Sequence, residues 1–248
     1  RVTNGLGETW TYSYDEQARL TGIDGPENYR LRYHYEGKHL ESITQGKQRW
    51  AFSYNEWGDC VRSESPTGEV IERTYDGEHR LLSETRYQAF DGNHAVCKPQ
   101  TARFAYDERG HLRFETTPDG VVTEHRYDAN GCRTSSRRYL QDQPVISLIE
   151  YRYDTRGCLS EEIHYTQIDA TGAGILTADT QHTYSRYDAS MRLVEQSSLT
   201  PSGLSTTHFM YDDLGRLIQT IDNQHHTQTI DYDDLHQRIV KTDANGLQ

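Results

Sequence analysis

Three pairs of adjacent carboxylates, Asp212-Asp213, Asp233-Asp234 and Glu161-Glu162, have the residue types of an acid-base catalyst. Two carboxylates facing one cleft can divide the acid and base roles of glycoside hydrolysis. The first two pairs, however, directly follow a tyrosine at the same place in a recurring pattern, which makes them turn openers. The twelve histidines are scattered. His225-His226 sits where a turn between repeats belongs, and His39, His79 and His236 stand where other copies carry glycine. None belongs to an H-E-x-x-H pair. Cys60, Cys97, Cys132 and Cys158 form no C-x-x-C pair, so no zinc site is expected. Cys132 and Cys158 occupy equivalent places in successive repeats and could meet across strands; the sparse cysteines favour small residues replacing arginine over a disulfide. Asp128-Ala129-Asn130-Gly131 and Asp243-Ala244-Asn245-Gly246 have some ligands of a calcium loop but lack its further oxygens and distal glutamate. Gly172-Ala173-Gly174 lacks the lysine and hydroxyl of a phosphate loop, and no G-x-S-x-G elbow occurs. These residues predict no catalytic centre, no metal and no cofactor.

What remains is a repeat. Tyrosine, usually followed by aspartate, recurs at Tyr14, Tyr35, Tyr54, Tyr75, Tyr106, Tyr127, Tyr153, Tyr187, Tyr211 and Tyr232, in steps of 21, 19, 21, 31, 21, 26, 34, 24 and 21 residues. The acid is Asp15, Asp76, Asp107, Asp128, Asp154, Asp188, Asp212 or Asp233, with Glu36 and Asn55 in the other two copies. Glycine stands four after the tyrosine at Gly58, Gly110, Gly131, Gly157 and Gly215. Leucine stands six after it at Leu20, Leu81, Leu112, Leu159, Leu193 and Leu217. Before each tyrosine the aromatics alternate, as in Trp10/Tyr12/Tyr14 and Trp50/Phe52/Tyr54, which places them on one face of a strand. Aspartate then folds its carboxylate onto backbone N–H groups, and glycine supplies a positive φ. The next residues begin a returning strand, and a P-x-G turn closes the period at Pro66–Gly68, Pro118–Gly120 and Pro201–Gly203. The expected fold is all-β, an array of antiparallel hairpins.

The heptad Tyr211-Asp212-Asp213-Leu214-Gly215-Arg216-Leu217 is a whole copy of Y-D-x-x-G-R-L, and partial copies run end to end through the chain. In this it resembles the YD-repeat, or RHS-repeat, family. The resemblance implies a long curved strip that forms part of a hollow spiral shell. In bacterial relatives such a shell encloses a C-terminal toxin segment; other relatives are insecticidal toxin complexes and teneurins. By this resemblance the chain is a structural wall segment of a secreted or cell-surface bacterial protein serving competition or virulence, and not an enzyme. Its implied partners are the remaining repeats, the enclosed toxin and a secretion or toxin-complex component. The family's self-cleavage motif is absent, so that activity carries over to no residue here. The alternative is an adhesion module whose tyrosines stack on carbohydrate; rings needed to hold an aliphatic-poor sheet together are better read as packed on neighbouring strands.

Hydrophobic residues make up only 33% of the chain and the net charge is −12, a composition that in an aperiodic sequence would mean disorder. Eighteen tyrosines, most of them in phase, argue instead for a single-layer sheet with two polar faces. The negative charge disfavours nucleic acid, and no apolar run reaches membrane-spanning length. Both ends read as cut through the repeat, so residues 1–248 are expected to be one ten-repeat array excerpted from a longer protein, with insertions near 88–100, 139–146 and 166–180. The last of these reads as a flexible hairpin.

Overall fold

The fold is described from a computed structural model, for residues 1–88, 99–234 and 238–243. Most of the insertion near 88–100, with Cys97, lies outside the described residues, as do His236 and the tail from 244 onward. The chain separates into two compact units, Arg1–Tyr106 with Glu115–Asp119, and Asp107–Phe114 with Gly120–Gln248.

The first unit holds β1 (Val2–Thr3), β2 (Thr9–Tyr14), β3 (Leu20–Asp24), β4 (Arg30–Glu36), β5 (His39–Gln45), β6 (Gln48–Tyr54), β7 (Cys60–Glu64), β8 (Val70–Tyr75), β9 (Leu81–Tyr87) and β10 (Gln100–Tyr106). Each strand pairs antiparallel with the next. A single 3₁₀ turn, Pro26–Asn28, separates β3 from β4. The next strand, β11 (Leu112–Thr116), contains residues of both units. The second unit holds β12 (Val121–Tyr127), β13 (Arg133–Leu140), β14 (Val145–Tyr153), β15 (Leu159–Tyr165), β16 (Gln167–Ile168), β17 (Gly174–Ile175), β18 (Gln181–Tyr187), β19 (Leu193–Thr200), β20 (Gly203–Tyr211), β21 (Leu217–Asp222), β22 (Thr227–Asp233) and β23 (Arg238–Thr242). Here too the pairing follows the sequence, except that β15 pairs with β18 and the short β16–β17 hairpin stands apart. Each unit is therefore a meander of hairpins.

The register slips just before most of the motif tyrosines. Tyr211 faces Leu217 while Met210 faces Gln219, which leaves Ile218 as the extra residue of a β-bulge. Thr21, Glu41, Val61, Leu82, Thr134, Ser160 and Val194 take the same place in their hairpins. A bulge bends the strand and increases its twist. With the bulge included, alternation in the first unit puts Trp10, Ile23, Leu31, Tyr33, Trp50 and Phe52 on the tyrosine face, and Arg32, Ser42, Arg62, Glu72 and Ser83 on the other.

Among the described residues only Leu148 and Ile163 are fully buried apolar side chains. The insertion at 166–180 lies over residues beside Leu148. Leu148 lies in register between Arg137 and Tyr165. Gly172 rests over Arg137 and Val145, and a Cβ on Gly174 would lie 2.3 Å from the Tyr165 ring. Only a glycine lets that backbone lie flat on the ring. The P-x-G segments are not one kind of turn. Ser65-Pro66-Thr67-Gly68-Glu69 closes as the motif turn does, with Gly68 N–H donating to Ser65 O and Ser65 N–H to Glu69 O. Pro201-Ser202 instead forms a two-residue hairpin turn, because Thr200 pairs directly with Gly203.

Candidate functional site

The turn after Tyr211 shows what the motif residues do. Asp212 Oδ1 accepts the backbone N–H of Leu214 at 3.0 Å and of Arg216 at 2.8 Å, and Oδ2 accepts Arg216 Nε at 2.7 Å. Gly215 N–H donates to Asp212 O, and Asp212 N–H to Arg216 O. The same set surrounds Asp15, Asp76 and Asp188. Around Asp107 the arginine is replaced by His111, whose Nδ1 lies 3.0 Å from Oδ2. Asp154 takes its guanidinium from Arg156 instead, because Cys158 holds the usual arginine place. Asp128 accepts the N–H groups of Asn130 and Cys132. Asn55 serves through its amide oxygen. Asp233 ends β22, and the turn after it lies largely outside the described residues.

Gly58, Gly110, Gly131, Gly157 and Gly215 all have φ between 79° and 99°. Three copies that lack glycine keep the conformation: Ala18, His79 and Met191 have φ of 60°, 64° and 60°. His39 does not share it. That turn is one residue shorter, with Tyr35 facing Leu40, and Gly37 takes the positive φ at 55°.

Joints between repeats come from the tyrosines. The hydroxyl of eight of the ten motif tyrosines reaches back to the preceding repeat and donates to the carbonyl six residues after that repeat's own tyrosine. The bonds run from Tyr35 to Leu20, Tyr75 to Cys60, Tyr106 to Leu81, Tyr127 to Leu112, Tyr153 to Arg133, Tyr187 to Leu159, Tyr211 to Leu193 and Tyr232 to Leu217, at 2.8–3.1 Å. Over the same rings lies the motif cation of the preceding repeat: Arg19 over Tyr35, Arg80 over Tyr106, Arg192 over Tyr211 and Arg216 over Tyr232, at 4.3–5.0 Å. His111 stacks on Tyr127 and His39 on Tyr54 in the same way. Tyr14, the first copy, is 61% exposed.

These contacts leave the motif carboxylates little chemistry. The Arg216 backbone N–H, helped by its guanidinium, holds the Asp212 carboxyl below its ordinary range, and equivalent N–H groups do so for Asp15, Asp76, Asp154 and Asp188. A carboxylate so saturated is a poor proton acceptor at neutral pH. Glu161 and Glu162, being successive strand residues, point to opposite faces. The first binds Arg152 and His182, and the second pairs with His164. Asp234 accepts Arg216. Asp222 opens a turn of the same kind and pairs with His226, and His225 takes the positive φ there. Cys60, Cys132 and Cys158 are free thiols. Equivalent places in successive repeats are two strands, about 9.6 Å, apart, beyond the Cα separation a disulfide spans. Among the described residues no three His, Cys, Asp or Glu side chains are grouped to hold a metal ion, and no helix is long and apolar enough to cross a membrane.

No protein-family model matches the chain. It is 30% identical over 128 residues to the probable deoxyribonuclease RhsB of Dickeya dadantii (strain 3937), a match covering 47% of this chain and 9% of that protein. The crystal structure of TcdB2-TccC3-Cdc42 superposes with a TM-score of 0.68 at 18% identity, covering 93% of this chain and 13% of that one. TcdB2-TccC3 without its hypervariable C-terminal region gives 0.67 at 18% identity, over 91% and 12%. The Photorhabdus luminescens Tc holotoxin pore gives 0.60 at 13% identity, over 97% and 15%. The chain spans a small part of each protein it matches, and the likeness to the solved structures is one of fold.

Proposed function

We propose that the chain, which is an RHS/YD-repeat array, serves as a stretch of shell wall whose parent protein encloses a C-terminal toxin or effector segment until delivery. The observation that carries this reading is the use to which the motif is put. Tyrosine hydroxyls join one repeat to the last, aspartates close the turns, and arginines cover tyrosine rings, so the recurring chemistry of the repeat is consumed in building a sheet. Support comes also from the fold. TcdB2-TccC3 superposes with a TM-score of 0.67 without its hypervariable C-terminal region and 0.68 in the other crystal structure, so the likeness does not depend on that region. On this reading the nuclease activity in the name of RhsB belongs to a part of the polypeptide beyond the matched stretch, the present chain has no catalytic role, and the parent acts outside the cell that makes it. Glycan capture is the second reading; against it stand the eight motif-tyrosine hydroxyls bonded to backbone carbonyls and the six motif rings covered by an arginine or a histidine.

The test uses the full-length parent. It is digested with a broad protease, native and after mild denaturation, and the C-terminal segment is followed by mass spectrometry. Enclosure predicts that the segment survives only in the native protein. Equal cleavage in both states overturns the proposal.

A further inference from the structure

Trp10 and Tyr29 take no part in the joints between repeats. They meet at the turn between β3 and β4. The Trp10 ring lies on the backbone of Gly25, where a Cβ would come within 2.5 Å of its Cζ3. Tyr29 approaches at a centroid distance of 5.2 Å with the ring planes 67° apart. Two rings set at so steep an angle form the walls of a corner, and with Pro26 they border one hollow of about 730 Å³.

The turn beneath them is held in an unusual shape. Glu27 and Asn28 have φ of 53° and 61°, and Tyr29 N–H donates to Pro26 O at 3.0 Å across them. Asparagine enters the left-handed region readily, glutamate rarely. Strained backbone of this kind gathers at ligand clamps and active sites. Charge points the same way. Glu8 and Glu27 line the hollow beside the rings. Glu8 Oε2 accepts the Asn4 amide at 2.7 Å, and neither carboxylate has a cationic partner among the described residues. The one cation of the lining, Arg30, has a side chain 72% exposed and lies 4.0 Å from Asp24.

We propose that this corner binds a quaternary ammonium group of the choline type. A cation is drawn to the face of an aromatic ring, most strongly to that of tryptophan. A trimethylammonium also has apolar surface to lay against the rings and the proline, and its charge is met by the carboxylates without hydrogen bonds, which it cannot donate. The same carboxylates repel an anion, and a neutral sugar leaves them unused. The inference is independent of the enclosure reading, since it concerns binding by this chain alone.

The experiment is calorimetric titration of the full chain with choline chloride at low salt, and with dimethylbutanol, the uncharged carbon isostere of choline. Choline should bind saturably and the isostere about tenfold more weakly. The double variant Glu8→Gln, Glu27→Gln changes two exposed side chains and should weaken choline about tenfold, the loss of two exposed ion pairs. Trp57→Leu, whose ring is 65% exposed on a turn outside the hollow, should leave it unchanged. Phosphatidylcholine vesicles separate the sources of the group: flotation of the chain that free choline blocks assigns a lipid headgroup, and choline binding without flotation assigns a free solute. Absence of saturable choline binding, equal affinity for the isostere, or unchanged affinity in the double variant overturns the site.

Discussion

Met191 shows how strictly the turn sets its residues. It is 61% exposed and nothing packs it into place, yet it holds the left-handed conformation that five other copies give to glycine. A side chain there costs about 1–2 kcal/mol, and glycine loses roughly 0.5–1 kcal/mol more entropy on folding. Met191→Gly should therefore raise stability by about 0.5 kcal/mol. Gly215→Val, the reverse change with a β-branched residue, should lower it by about 2 kcal/mol. Urea denaturation midpoints of both variants check the pair. Much at this scale was legible in the sequence: aspartate after tyrosine announced the carboxylate folded onto backbone N–H groups, and glycine announced the positive φ. The partners of the tyrosine hydroxyls were not. A hydroxyl that reaches a carbonyl in the previous hairpin leaves no trace in side-chain type, since every residue has a carbonyl.

Hairpins and their joints form the next scale. At four joints a motif arginine lies over the incoming tyrosine and at two a histidine stacks on it, but Cys132 leaves Tyr153 with neither, and the hydroxyl bond to Arg133 O at 2.9 Å carries that joint. Tyr153→Phe should cost about 1 kcal/mol, the usual net worth of a buried hydrogen bond, and should speed amide exchange in β13 and β14 above that in β20 and β21. Equal exchange in both hairpins would contradict the assignment. Periodicity of two and the spacing of the tyrosines announced the strands. They did not announce how the hairpin at 166–180 would lie. Its glycines and alanine suggested a flexible tip; in the structure Gly172 takes a positive φ of 82°, and Gly174 is small because the Tyr165 ring passes beneath it. Nor did the proline-glycine pattern distinguish the five-residue turn at Ser65 from the two-residue turn at Pro201, because proline suits the second position of either.

Over the whole molecule the repeated carboxylates act together. Asp15, Asp76, Asp154, Asp188 and Asp212 each titrate below the ordinary 3.8 when folded, chiefly through the backbone N–H four residues on. The unfolded chain then binds more protons than the folded one in acid. Their stabilisation is present above the ordinary carboxylate value and is lost as pH falls through the depressed folded values. Urea midpoints should stay level from neutrality to about pH 5 and fall below about pH 4. Replacing Asp76, Asp188 and Asp212 with asparagine, which already serves at Asn55, should flatten that fall; an unchanged acid limb would assign it to other groups. The tyrosine joints carry a different consequence, one for ancestry. A hydroxyl meets its carbonyl across 15 residues at four joints and across 18, 20, 25 and 28 at the others, so the joint is indifferent to the length of chain between. Unequal crossing-over between two tyrosine codons yields a gene with one repeat more or fewer and every joint still satisfied. The number of repeats is free to drift over generations, while the length of the turn after each tyrosine is held to within one residue.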